Sequence, residues 1–209
     1  MSTVHEESLR DQIVNASLKL FLEKGYQATT IQEIIDAANC SKGGFYHHFG
    51  SKEDLLYLIH DTFITYELQQ AEAVLKLPGT ASSRLRQMII DLVESIELYR
   101  PHVTVFFEER RLLSYEKFAL VKQKRDAYEQ LFHRVVEEGI QTGEFRADTD
   151  PRIIVFAIFG MCNWTYQWLQ SNKGYGVRVI GQMFCDLLFQ GLHSPSEHEA
   201  DAYLPAHAK

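Results

Sequence analysis

The sequence is poor in residues that interrupt helices and in residues that build disulfides or metal sites. Five prolines in 209 residues leave long stretches free to stay helical, since an internal proline costs a helix roughly 3 kcal/mol. Cysteine occurs only as Cys40, Cys162 and Cys185, odd in number, widely spaced and in no metal-ligand pattern. That excludes a disulfide-stapled scaffold and a zinc ribbon, and it fits a reducing cytosol. There is no basic excess either: the net charge is −7. In the first sixty residues Arg10, Lys19, Lys24, Lys42 and Lys52 are outnumbered by Glu6, Glu7, Asp11, Glu23, Glu33, Asp36, Glu53 and Asp54. Bulk attraction to nucleic acid is thereby excluded. Any DNA contact has to rest on a few cations and helix N-termini aimed at phosphates.

No apolar run reaches the roughly 20 residues of a membrane span. The most apolar stretch, Ile153–Leu169, is uncharged but carries Gly160, Asn163, Thr165 and Gln167. It reads as a buried central helix, with no membrane partner. The acidic N-terminus, Met1-Ser-Thr-Val-His-Glu-Glu, lacks the apolar segment of a secretory signal, so a cytoplasmic location is expected. Nucleophile elbow, P-loop, dinucleotide fingerprint and zinc motif are all missing. No cofactor is expected, and an enzyme remains the distant alternative.

What is present is helical periodicity. A first helix is expected from about Ser8 to Lys24, ended by Gly25. A second starts at Thr30, where Thr30 and Glu33 have capping-box spacing. A tight turn follows at Ala38-Asn39-Cys40, Asn39 being a residue that tolerates the left-handed conformation. Ser41 caps a short third helix from Lys42 to about Phe49, and Gly50 breaks it. Ser51 caps a fourth that runs to about Leu77, before Pro78-Gly79. Longer helices are expected at about Ser82–Tyr99, Pro101–Leu113, Ser114–Thr142, Asp150–Leu169 and Gly176–Leu192, with Pro101 and Pro151 in first turns. The tail from His193 is polar and aperiodic and reads as disordered.

Two short helices joined by a tight turn, the second one capped, make the helix-turn-helix pattern, which lays its second helix in the major groove. The stretch Gly25–Leu56, GYQATTIQEIIDAANCSKGGFYHHFGSKEDLL, closely resembles the DNA-binding domain of the TetR family. Asn39-Cys40 stands where that family usually has Gly-Val, and Gly43-Gly44 where it has Gly-Thr or Gly-Ala. The resemblance implies an all-α protein. An N-terminal three-helix DNA-binding domain at 8–54 would be followed by a larger helical ligand-binding and dimerisation domain at 55–192 and a tail at 193–209. The implied partners are palindromic operator DNA, a small-molecule effector and a second copy of the chain. The implied function is a repressor released from its operator by that effector; an activator, or a repressor sensing an unrelated hydrophobic compound, is the alternative.

Chemistry and resemblance together assign the DNA contacts. Thr30 caps the second helix and can donate to a phosphate. Ser41 is mainly a cap. Lys42 points from the N-terminus of the recognition helix, and Gly43 and Gly44 leave its front bare for close approach to base edges. Tyr46 and His47 resemble the family's phosphate contacts, whereas Phe45 and Phe49 belong to the core. Lys52, at the start of the fourth helix, adds a cation at a dipole end. Adjacent His47 and His48 point about 100° apart on a helix, so they do not converge on a metal.

Farther on, aromatic residues interleaved with a few polar ones suit a mostly apolar pocket. The candidates are Phe106, Phe107, Arg110, Arg111, Tyr128, Phe159, Asn163, Trp164, Tyr166 and Trp168. Two arginines beside an apolar pair fit an anionic head with an apolar tail. The stretches Phe107–Leu113 and Met161–Tyr166 resemble the acyl-CoA-responsive regulators of lipid catabolism within the family. On the last helix Val177, Ile180, Phe184, Leu187, Leu188 and Gly191 recur at helical spacing. With Gly181 and Gly191 admitting close backbone approach, they read as a dimer face in a four-helix interface.

Overall fold

The computed structural model describes residues 8–169 and 174–192, with Arg110 described in its backbone only. The expected tail lies outside the described residues. The order is α1 (Leu9–Lys24), α2 (Ile31–Ala37), α3 (Lys42–His48), α4 (Lys52–Leu75), α5 (Ala81–Leu98), α6 (Arg100–Glu109), a 3₁₀ turn (Arg110–Leu112), α7 (Tyr115–Gln141), α8 (Pro151–Asn163), α9 (Thr165–Trp168) and α10 (Val177–Leu192).

Two helices end earlier than their periodicity suggests. The segment expected to be helical from Pro101 to Leu113 leaves the α form at Glu109 and closes in the 3₁₀ turn. The segment expected to run unbroken to Leu169 stops at Asn163 and resumes as the single turn α9. There the Thr165 hydroxyl takes the carbonyl of Cys162 at 2.7 Å, a local bond of the kind that competes with the helical ladder.

The chain divides into two compact units, Met1–Gln69 with Ser95–Tyr128 and Gln70–Glu94 with Glu129–Lys209. In the first, Ile13, Phe21, Ile34, Ile35, Phe45, Phe49, Leu55 and Leu56 are buried. Ser17 joins this core because its hydroxyl donates to Ile13 O at 2.7 Å, which satisfies it without water. In the second, Leu85, Ile89, Phe132, Val136, Phe145, Val155, Ile158, Cys185 and Phe189 are buried. A Cβ on Gly181 would lie 3.1 Å from the Ile90 Cα. That glycine, read from sequence as part of a dimer face, serves a close approach of α10 to α5 within the chain. Gly191 has open space in front of it.

Glu144 holds the start of α5. Its carboxylate accepts from the Ala81 N–H at 3.0 Å and the Ser82 N–H at 2.8 Å, donors that a helix N-terminus otherwise leaves orphaned. Burial alone would raise its pKa, but the bonds from Ser82, Ala81 and Thr142 outweigh this and hold it at about 2, against an ordinary 4.5. A carboxyl depressed in the folded state stabilises above its unfolded pKa and ceases to as pH falls towards the folded one. Glu144→Gln should therefore lower stability at pH 7 by about 1–2 kcal/mol. The thermal melts of the two proteins should converge as pH drops from about 4.5 towards 2.

Candidate nucleic-acid interface

The helix-turn-helix is built from local bonds. The Thr30 N–H donates to Glu33 Oε2 at 2.8 Å, and the Glu33 N–H donates to Thr30 Oγ1 at 3.2 Å, which completes the capping box. The Thr30 hydroxyl also donates to Glu33, so the hydroxyl and the N–H with which Thr30 could donate to a phosphate are both engaged inside the box. Hydrogen bonds from Lys24 and Thr30 hold the Glu33 carboxyl at about 2. The turn into α3 passes through Asn39 at φ +49°, the one non-glycine residue with positive φ among the described residues. Ser41 Oγ then accepts from the Gly44 N–H at 3.0 Å.

This geometry divides α3 into two edges. Phe45 is fully buried, with Phe49 just beyond the helix 5% exposed, whereas Tyr46 is 46% exposed. Lys42, Gly43, His47 and His48 also face solvent. The Tyr46 ring meets the edge of Phe45 at 5.2 Å, which limits its motion without burying its hydroxyl end. The two glycines differ. A Cβ on Gly43 would meet only Ser41 Oγ, at 3.9 Å. One on Gly44 would press on Leu9 Cδ2 at 3.2 Å and on the capping Ser41 Oγ at 3.3 Å. Gly44 thus lets α3 sit close to α1, a requirement the sequence alone does not reveal.

Lys52 does more than begin α4. Its Nζ donates to Tyr26 O at 2.7 Å and to Thr29 O at 2.6 Å, and lies 4.3 Å over the Tyr26 ring. Two of its three donors are thus committed, and burial draws its pKa down. On the other side of the same residue, the Tyr26 N–H donates to Glu109 Oε1 at 2.9 Å. The loop before the helix-turn-helix is therefore held from the start of α4 and from the end of α6. Tyr26 and Glu109 escape a sequence reading because they are 83 positions apart.

The residues expected to line a pocket fall in both units. In the first unit, Phe106 is buried and packs against Phe107 and His60, Arg111 is exposed, and the buried Tyr128 hydroxyl donates to Glu67 at 2.7 Å. The side chain of Arg110 lies outside the described part. A groove of about 490 Å³ is lined by Arg111, Leu113, Tyr115 and Phe118. In the second unit, Phe159 packs on Phe132, Asn163 and Tyr166 are half-buried, and Trp164 and Trp168 are 62% and 47% exposed. Of the residues expected at a dimer face, Leu187 and Gly191 are exposed, Val177, Phe184 and Leu188 half-buried, and Ile180 buried. The exposed apolar stripe of α10 is Val179, Met183 and Leu187, and that of α8 includes Ile153 and Phe156.

Comparison with known proteins decides the family. Residues 13–57 match the family described as bacterial regulatory proteins, tetR family, and residues 78–192 match the tetracyclin repressor-like C-terminal domain. The chain belongs to the TetR family. It is 24% identical over 186 residues to the HTH-type transcriptional repressor KstR2 of Mycobacterium tuberculosis, covering 88% of this chain and 93% of that protein. It is 24% identical over 184 residues to the fatty acid metabolism regulator protein of Bacillus subtilis, covering 88% and 95%. The fold matches AibR, solved in complex with isovaleryl coenzyme A and operator DNA, with a TM-score of 0.78 at 24% identity over 88% of this chain and 100% of that one. As a TetR-family transcriptional regulator the protein binds operator DNA. No helix among the described residues is long and apolar enough to cross a membrane.

Proposed function

We propose that this TetR-family protein is a cytoplasmic repressor without enzymatic activity, released from its operator by an acyl-CoA thioester. The observation that carries the DNA reading is the division of α3 into a buried edge at Phe45 and an exposed edge bearing Lys42, Tyr46 and His47. Lys42, with the bare backbone at Gly43 and Gly44, enters the major groove, and Tyr46 and His47 meet the flanking phosphates. The Ser41 hydroxyl, which only accepts within its cap, and the remaining Lys52 donor meet phosphates, whereas Thr30 acts as a cap. Local geometry thus replaces the missing basic excess.

The effector reading is supported by nearly full-length similarity to a regulator named for fatty acid metabolism. It is also supported by the groove at Arg111, Leu113, Tyr115 and Phe118. Arg111 is exposed and has no carboxylate partner among the described residues, and Tyr115 is 87% exposed. A guanidinium beside an aromatic face suits the phosphates and adenine of coenzyme A. The dimer face we assign to the exposed stripes Val179-Met183-Leu187 and Ile153-Phe156-Trp164, whose uncovered apolar area calls for a partner.

Fluorescence anisotropy of the protein on its own promoter fragment, at fixed salt, tests the proposal. Binding that is lost on adding palmitoyl-CoA is the expected result. Binding that ignores saturating thioester would remove the effector and leave the regulator.

A further inference from the structure

Three buried ring nitrogens stand without a hydrogen-bond partner among the described residues, in one seam of the first unit. They are Nδ1 and Nε2 of His60 on α4 and Nδ1 of His102 on α6. His60 is 1% exposed. The seam around them is aromatic. His60 meets Phe106 edge-on at 5.0 Å, Phe63 and Tyr66 meet Tyr99 at 6.1 and 4.9 Å, and Tyr99 meets His102 at 5.4 Å. Arg125 lies 5.0 Å over the Phe106 ring. Burial, helped by the Arg125 charge, takes the His60 pKa down to about 4, and burial lowers that of His102. At neutral pH the His60 ring is therefore uncharged, with one N–H donor and one acceptor nitrogen.

Leaving such atoms unpaired is costly, and a phenylalanine at position 60 would fill similar space without that cost. A plain hydrocarbon chain entering the seam would pair with none of them. A carbonyl oxygen can accept from an imidazole N–H, and a hydroxyl can both donate and accept. We infer that the α4–α6 seam receives a carbonyl or hydroxyl oxygen carried on the acyl group of the effector, hydrogen-bonded by His60 and His102. This rests on the acyl-CoA reading above and narrows it to oxygenated acyl groups.

The seam is also well placed to report its occupancy. α4 begins at Lys52, on the Tyr26 and Thr29 carbonyls, and α6 ends at Glu109, on the Tyr26 N–H. A group lodged between His60 and His102 shifts the two helices that grip the loop before the recognition element. Ligand binding is thereby linked to operator affinity through two states of one clamp.

The test is operator release from the full-length protein, followed by anisotropy, with stearoyl-CoA, 3-hydroxystearoyl-CoA and 12-hydroxystearoyl-CoA as probes. At least one hydroxylated thioester should act at about tenfold lower concentration or less than stearoyl-CoA, because a site built to pair a hydroxyl rejects the analogue lacking it. His60→Phe should keep the response to stearoyl-CoA, lose the preference and melt at a higher temperature. His102→Phe, at a half-buried position, should lose the preference too and serves if the first variant misfolds. Equal potency of all three thioesters, or a preference that survives both substitutions, overturns the inference and leaves the acyl-CoA reading intact. Failure of every thioester to release the operator overturns both.

Discussion

Phe45→Ala is expected to abolish operator binding by unfolding the reading helix, at a cost of about 3–5 kcal/mol. α3 has seven residues, and two of them are glycine. So short a helix has almost no stability of its own, and each glycine weakens it by about 1 kcal/mol relative to alanine. What holds it is the Ser41 cap and the Phe45 ring, which is fully buried. Removing the ring opens a cavity between α3 and its neighbours, and at Gly44, where an added Cβ would already lie 3.2 Å from Leu9 Cδ2, α3 has little room to move in and fill it. Urea unfolding and operator titration should both show the loss. Tyr46→Ala makes the contrast: the ring is half exposed, so operator affinity should fall while the unfolding curve hardly moves. Equal stability of Phe45→Ala and wild type would mean that the edges of α3 are wrongly assigned.

The second large effect is expected at Gly139, and its sign is the test. In an ordinary helix Gly→Ala stabilises by about 1 kcal/mol. Here a Cβ on Gly139 would lie 2.2 Å from Phe145 Cδ2 and 2.3 Å from Cε2. Phe145 is 1% exposed and packs edge-on against Phe189 at 5.9 Å, so the ring has nowhere to go. The chain folds back onto α7 at this point, with the Phe145 N–H donating to Gly139 O at 2.9 Å. Gly139→Ala should cost about 3 kcal/mol through overpacking and lower the melting temperature by roughly 6–12 °C. Adding Phe145→Leu should recover part of that loss. A variant that melts higher than wild type would refute the packing described here.

The contrast between Gly139 and Thr30 shows which parts of the molecule are legible in sequence. The Thr30–Glu33 box, the Ser41 cap, the Asn39 turn and Pro151 at the start of α8 join residues within a few positions, and each lies where its spacing predicts. The exposed edge of α3 follows from the same periodicity. What escapes is set by partners that helical spacing does not reach: Glu109 on Tyr26, Glu144 on the start of α5, Gly181 against Ile90, and Phe145, which a chain reversal folds over Gly139. No local pattern marks these residues, because each gains its meaning only from a partner that the folded chain brings to it. Lys52 stands between the two cases. Its place at a helix start is plain from Ser51, but the two carbonyls that take its donors are not. His60 and His102 are isolated histidines in helices of mixed composition, and only burial without partners among the described residues sets them apart.

If this acidic protein reads DNA through a few groups on one edge of α3, the salt dependence of operator binding will show it. The slope of log K against log salt counts the phosphates neutralised. Wild type should give a shallow slope of a few units. Lys42→Ala should weaken operator binding by about tenfold or more, with the slope reduced by about one if the ammonium meets a phosphate and unchanged if it meets a base edge. A steep slope for wild type, together with full affinity in Lys42→Ala, would place the DNA contact elsewhere and contradict the account.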